Sequence, residues 1–447
     1  MIYHLIRELV RLSAHIFYRH IEVVGLENIP REGATIFFGN HPNSLLDPAL
    51  ITAFGERKLH FMAKDSLFSK PLLNILLANM GAVPIKRRQD QAQGELKNES
   101  AFEALYQLLR RGGAMGIFPE GISHNQAHLA ELKTGAARIA LEMKRQGVEI
   151  KLIPCGLTYL TRDRFRSSVL IQFGEPISII NNEEHNARSL TDLMERHLRA
   201  LTINAESWAE ITLLDTVRRL YQPSKITIEQ RVELARRFTT HYPTIKHHPE
   251  VVQLATHVQA YQDHLFLLGL RDRDMSVNLK ASKLFFRSLR HLTLSLIWLP
   301  LALLGSPLHF PIAYILGHGS RVIAPRKDVI ATTKFIAGFL LLNGLYLAIG
   351  LLVWYAGWGL WSALVPPLLA LSGFACLKLA ERGRALLKTL WVWSKCITAR
   401  RTIIELRAER RALRDEIHQA VNRYIPADIE RLFYTETTQT EHQQNAD

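Results

Sequence analysis

Read as a pattern of apolar and polar positions, the chain divides into three kinds of stretch. The first 19 residues place Ile2, Leu5, Ile6, Leu9 and Ile16 at helical spacing, while Arg7, Arg11, His15 and Arg19 step by four. That pattern predicts an amphipathic helix with a basic stripe, suited to lie in a lipid interface or to dock on its own domain. From residue 20 to about 184, short β-branched and aromatic runs alternate with helical patterns. The runs include 20–24, Ala34–Phe38, Lys58–Ala63, 81–85, Ala114–Phe118, Ile150–Thr158 and Ser168–Phe173. Strands alternating with helices predict an α/β domain whose twisted sheet is mostly parallel with flanking helices. Residues 185–290 carry almost no strand pattern and read as a helical region.

From 291 onward the character changes. Residues 291–316 are strongly apolar but hold Pro300, Pro307 and Pro311, which predicts a re-entrant or membrane-embedded segment bent at the prolines. Residues 329–356 and 358–379 are each long enough to cross a hydrocarbon core of about 30 Å, so 329–379 is expected to form a two-helix transmembrane hairpin. Lys334 and Lys378 sit near its outer ends, where long side chains snorkel. Residues 380–434 read as basic helices, and 435–447 as a disordered tail.

Charge sharpens this picture. The 447-residue chain carries a formal net charge of +14, which calls for an anionic partner. Much of the excess flanks the apolar runs: Arg321, Arg326 and Lys327 before them, and Arg382, Arg384, Lys388 and Lys395 after them. The positive-inside rule then places the α/β domain and both basic flanks in the cytoplasm, with anionic membrane lipids as the partner. No zinc-finger, RRM or helix-turn-helix pattern speaks for nucleic acid. The three cysteines, Cys155, Cys376 and Cys396, have neither metal nor disulfide spacing, so no metal site is expected.

The chemistry concentrates just after the run Ala34–Phe38, in Gly39-Asn40-His41-Pro42-Asn43-Ser44-Leu45-Leu46-Asp47-Pro48. Open α/β sheets place ligands at such strand ends. An imidazole there can take a proton from an alcohol, and a carboxylate behind it fixes the tautomer. His41 and Asp47 are six apart and do not share a helix face, so only a turn brings them together. The alternative is an Asn- and Pro-rich turn with an incidental histidine. Ser44 lacks a Gly-x-Ser-x-Gly elbow, which argues against a serine hydrolase. Lys64 follows the third strand, and Lys86, Arg87 and Arg88 follow the fourth. Such cations are either a solvated edge or a grip on phosphate.

Four stretches taken together, Asn40-His41 to Asp47, Gly81-x-Val-Pro-Ile-x-Arg87, Phe118-Pro119-Glu120-Gly121 and Ile153-Pro154-Cys155-Gly156-Leu157, resemble the four blocks of the phospholipid/glycerol acyltransferase family. The usual first block is His-x4-Asp, whereas five residues stand between His41 and Asp47 here. The third block runs Ile122-Ser123-His124 where Thr-Arg is usual. Both departures are similar to the fungal-type glycerol-3-phosphate/dihydroxyacetone-phosphate acyltransferases. That likeness extends through Arg218–Tyr221, Arg236–Phe238, Leu268–Asp272 and Asp328–Lys334.

The resemblance implies direct transfer of a fatty acyl group from a thioester, carried by CoA or acyl carrier protein, to a hydroxyl of a phosphorylated glycerol acceptor, with no further cofactor. It implies His41 as general base and Asp47 as its orienter. Arg87, with Arg88 and Lys64, would hold the acceptor phosphate. Glu120 would bind acceptor hydroxyls beside Gly121, and backbone N–H groups near Gly121 and Ser123 would face the oxyanion. Lys133 would meet a phosphate of either substrate. The competing expectation is a membrane lipid-binding or remodelling protein that keeps this fold without turnover.

Overall fold

The computed structural model describes residues 2–69, 71–86, 99–179, 186–223, 225–276 and 281–424, in two compact units. The first takes in the chain up to Trp208 together with Thr227–Arg236 and Ala324–Phe335. The second takes in Ala209–Ile226, Arg237–Ile323 and the chain from Ile336 on.

The first unit is built on a mixed sheet. Its strands are β1 (His20–Val24), β2 (Ala34–Gly39), β3 (Leu59–Lys64), β4 (Val83–Ile85), β5 (Ala114–Ile117), β6 (Ile150–Tyr159), β7 (Ser168–Phe173) and β8 (Ile177–Ser178), in the order β1-β7-β6-β2-β5-β3-β4 with β8 beside β6. Five neighbours, β6-β2-β5-β3-β4, run parallel, whereas β7 and β8 pair antiparallel with β6. The mostly parallel sheet expected from the sequence is therefore present.

β2 is central, and each of its six residues is buried. Its side chains alternate between faces. Ala34, Ile36 and Phe38 enter a core made with helices α4 (Glu99–Arg110), α5 (Gly135–Arg145) and α6 (Ala187–Leu201). Burying a side chain such as Ile36 or Phe38 contributes about 1.5–3 kcal/mol. Phe37 points the other way and meets Phe173 edge-on. At the starting end of β2, Arg57 donates to the carbonyls of Pro30, Gly33 and Gly112 and to the Thr35 hydroxyl. One guanidinium thus ties the entry of β2 to the turn before β5.

Helix α1 (Ile2–Phe17) packs on α2 (Leu46–Phe54) and α3 (Pro71–Asn79). It buries Val10, Ala14 and Phe17, yet Ile2, Leu5, Leu12 and Ile16 stay exposed. One face docks on the domain while other apolar residues remain available to a lipid interface. Arg166 donates to the carbonyls of His15, Ile16 and Tyr18, satisfying groups at the negative end of α1.

The remaining helices are α7 (Trp208–Tyr221), α8 (Ile228–Ile245), α9 (Pro249–Leu267), α10 (Asp272–Ser276), α11 (Ala281–Ile323), α12 (Ile330–Val353), α13 (Val365–Thr398) and α14 (Arg400–Tyr424). In the second unit α14 packs along α9. A buried Asp272 there accepts from Tyr261 and from Arg410 at 2.7 Å.

Two stretches, Ser282–Ile323 and Lys327–Thr398, are long and apolar enough to cross a membrane. The second is interrupted between α12 and α13 by a turn holding Gly357 and Gly359 at φ 88° and 53°. α11 stays helical through Pro300, Pro307 and Pro311. Pro307 cannot donate to the carbonyl of Leu303, and the Ser306 hydroxyl donates to that carbonyl instead, at 3.1 Å. Lys334 also departs from the snorkelling reading: its ammonium donates to the Asp163 carbonyl at 2.7 Å, inside the first unit.

Candidate active site

The C-terminal ends of β2, β5, β3 and β4 lie along one edge of the sheet, because these strands are parallel neighbours. Each delivers polar residues there: Asn40 and His41 after β2, Glu120 after β5, Lys64 at the end of β3, and Lys86 after β4. Arg87 and Arg88 lie outside the described residues.

His41 and Asp47 do meet. The chain turns after His41, Ser44 adopts a left-handed φ of 50°, and α2 begins at Leu46. Asp47 therefore stands in the first turn of a helix, where a carboxylate suits the dipole, and Pro48 beside it loses no helical hydrogen bond. His41 Nδ1 is 2.8 Å from Asp47 Oδ2. The same oxygen accepts the Asn43 N–H at 2.7 Å, and Oδ1 accepts the Tyr159 hydroxyl at 2.6 Å.

The Asp47 side chain is 0% exposed, against 18% for His41. Burial pushes the Asp47 carboxyl up, against the pull of His41, Tyr159 and the Asn43 N–H. Burial, with Asp47 beside it, also raises the Tyr159 phenol well above its ordinary value, so it stays a donor. With Nδ1 held by the carboxylate, Nε2 is the imidazole atom left to act outward.

Packing fixes the plane of the ring. His41 stacks on Phe118 with centroids 4.1 Å apart and planes 9° apart, and Phe118 stacks on Phe61 at 5.5 Å. Phe61 fits only because residue 116 is glycine, since a Cβ there would overlap the Phe61 ring.

Glu120 holds the backbone of this edge. Its Oε1 accepts the His41 N–H at 2.7 Å, while Oε2 accepts the Ala130 N–H at 3.1 Å and pairs closely with His124 Nε2. The His124 N–H in turn donates to the His41 carbonyl at 3.2 Å. The side chain of Glu120 is 1% exposed, so its two oxygens are taken up by protein donors rather than turned to solvent. Gly121 has φ 78°, and the Lys133 side chain occupies the space a Cβ would take there. Lys133 is exposed and immediately precedes the turn into α5. The Ser123 hydroxyl donates to Asp328 at 2.6 Å. Cys155 is buried, and burial pushes its thiol up, as suits a core residue.

Tyr159 and Arg162 join the site without having been singled out by sequence pattern, and so does His124, which the sequence marks only as part of a departure in the third block. Arg162 lies over the Trp208 ring and feels the charges of Asp47, Glu120 and Asp328, while burial pulls its guanidinium down. Tyr159 ends the strand that carries the fourth block, and that adjacency was its one available signal.

Tyr159→Phe removes the phenolic donor and leaves a buried Asp47 oxygen without it. Hydrogen bonds to charged groups are worth about 1.5–3 kcal/mol. Expected is a fall in kcat of roughly tenfold or more together with a lower melting temperature, since the lost bond also holds the folded state. Steady-state kinetics alongside thermal unfolding checks this; an unchanged kcat removes Tyr159 from the support of Asp47.

Residues 20–158 match the model of the acyltransferase family, which makes the α/β unit an acyltransferase domain. Residues 213–429 match the model described as the glycerol-3-phosphate acyltransferase 2 C-terminal domain. The chain thus carries an acyltransferase domain followed by a region similar to the C-terminal domain of glycerol-3-phosphate acyltransferase 2, in line with the resemblance read from its sequence. Glycerol-3-phosphate O-acyltransferase 1 of Saccharomyces cerevisiae is 26% identical over 66% of this chain and 41% of its own length. Glycerol-3-phosphate O-acyltransferase 2 of the same yeast is 28% identical over 58% of this chain and 38% of its own length. The 1-acyl-sn-glycerol-3-phosphate acyltransferase of Borreliella burgdorferi is 27% identical over 42% of this chain and 74% of its own. The chain thus spans about two fifths of the length of the yeast relatives it matches.

Proposed function

We propose that this chain is a membrane-bound acyltransferase that moves a fatty acyl group from an acyl thioester to a hydroxyl of a glycerol-phosphate acceptor. The observation that carries the reading is the imidazole of His41, anchored through Nδ1 to a fully buried Asp47 and held flat by Phe118. Nε2 takes the proton of the acceptor hydroxyl as its oxygen attacks the thioester carbonyl. Collapse of the tetrahedral intermediate breaks the C–S bond, and the imidazolium returns the proton to the departing thiolate. Asp47 holds the tautomer and steadies the positive ring. Arg87, with Arg88 and Lys64, binds the acceptor phosphate, and Lys133 meets phosphate from either substrate. N–H groups near Gly121 and Ser123 face the oxyanion. The acyltransferase unit works at the cytoplasmic face, on the side of the basic flanks of the apolar helices.

An acceptor panel tests the proposal. The purified membrane protein is given acyl-CoA or acyl carrier protein thioester with glycerol 3-phosphate, dihydroxyacetone phosphate or lysophosphatidic acid, and products are read by mass spectrometry. One acceptor should gain one acyl chain, and Arg87→Ala should raise the KM for that acceptor while leaving that for the donor near its starting value. No acyl product from any pairing would overturn the reading.

A further inference from the structure

Residues 324–335 lie some 280 residues beyond the His41 turn in sequence, yet they belong to the same compact unit as the sheet. Two of their polar side chains, Asp328 and Thr332, are buried, along with Ala331 and Phe335. Thr332 sits in the first turn of α12. Its hydroxyl donates to the Asn43 carbonyl at 2.5 Å, and its oxygen lies 3.2 Å from the Leu46 N–H. It thus closes the turn between His41 and Asp47 at the point where Ser44 is held in a left-handed conformation that L-residues other than Asn, Asp and His seldom adopt.

Asp328 acts on the other loop. It accepts the Ser123 hydroxyl at 2.6 Å and the Arg326 guanidinium at 2.9 Å, and Arg326 also donates to Ser123 at 3.1 Å. Ser123 adjoins His124, whose N–H holds the His41 carbonyl. Lys334 on Asp163 and Phe335 against Phe17 fasten the end of the segment.

We propose that residues 324–335 form a strap that sets the geometry of the acyltransferase site, with Thr332 and Asp328 as positioning residues for the loops of His41 and Glu120. The proposal rests on the acyltransferase reading and adds to it. Neither residue touches a reacting atom. Thr332 keeps the His41–Asp47 turn in its strained form, and Asp328 keeps the loop that clamps the His41 backbone. The stretch Asp328–Lys334, one of the segments of the sequence resemblance, thereby gains a physical task.

The test uses the full-length membrane protein and three variants. Thr332→Val keeps the shape and removes the hydroxyl, Thr332→Ser keeps the hydroxyl, and Asp328→Asn keeps the shape and removes the charge. For Thr332→Val a fall in kcat of about tenfold or more is expected, the scale of one lost hydrogen bond expressed in the transition state. KM for both substrates should stay near wild type, and Thr332→Ser should restore most of kcat. Asp328→Asn should show the same split between kcat and KM. If Thr332→Val does not fold, the pair Thr332→Ser and Asp328→Asn decides.

Unchanged kcat in Asp328→Asn together with unchanged kcat in any folded Thr332→Val would overturn the strap. So would a loss of kcat in Thr332→Val that Thr332→Ser does not restore, because the hydroxyl would then not be what matters. A wild-type protein that acylates no acceptor at all would instead sink the acyltransferase reading, so the two failures are distinguishable.

Discussion

His41→Ala is expected to lower kcat by about 10²–10⁴-fold, the contribution of a positioned general base. The thioester still binds, because the loss is of a group that acts in the transition state, so the donor KM stays near the wild-type value. The melting temperature should change little, since the His41 side chain is partly exposed and its backbone bonds to Glu120 and His124 survive the substitution. Steady-state kinetics with the acceptor identified by the panel provides the measurement. Turnover within a few-fold of wild type would remove His41 from the mechanism and return the His41 turn to a structural role.

Gly116→Val is expected to damage both the fold and the chemistry. Residue 116 lies in β5, between β2 and β3, and the space above it is filled by the ring of Phe61. Any side chain there must push Phe61, which stacks on Phe118, which stacks on His41. Overpacking a filled core costs about 1–3 kcal/mol, which lowers the melting temperature. Displacing the base by about 1 Å costs on the order of 10²-fold in rate. Adding Phe61→Ala to Gly116→Val makes room for the new methyl groups, so the double variant should recover part of the stability lost by Gly116→Val. If instead the two stability effects simply add, the clash with Phe61 is not what Gly116→Val costs.

What could be read from the sequence was what depends on neighbours in sequence. β2 announces itself as an apolar β-branched run, and the polar block after it marks the strand end. His41 and Asp47 were expected to need a turn, and Ser44 with the first turn of α2 supplies it. What could not be read depends on residues far apart. Nothing local to Thr332 says that its hydroxyl meets Asn43, because it sits at the head of a run whose pattern is that of a membrane helix. Nor does anything local announce that α11 stays helical past Pro307, where the Ser306 hydroxyl takes up the carbonyl of Leu303 that the proline frees. Glu120 was expected to face acceptor hydroxyls, while in the structure its oxygens serve the backbone of His41 and Ala130. Arg87, the residue on which the phosphate reading leans, lies outside the described residues and stays a proposal.

The strap has a consequence for how the protein is made. A ribosome delivers the chain from its N-terminus, and β8, the last strand of the sheet, emerges about 150 residues before Thr332 does. At roughly 5–20 residues per second, that is an interval on the order of 10–30 s. In between comes α11, a 43-residue apolar helix. During that interval the sheet can form, but the turn holding His41 lacks its hydroxyl clip and the Ser123 loop lacks its carboxylate. The nascent domain is therefore assembled before it is competent, and its last part arrives only after the first apolar helix has been made. Completion of the site is in this way tied to synthesis of the long apolar helix that precedes the strap.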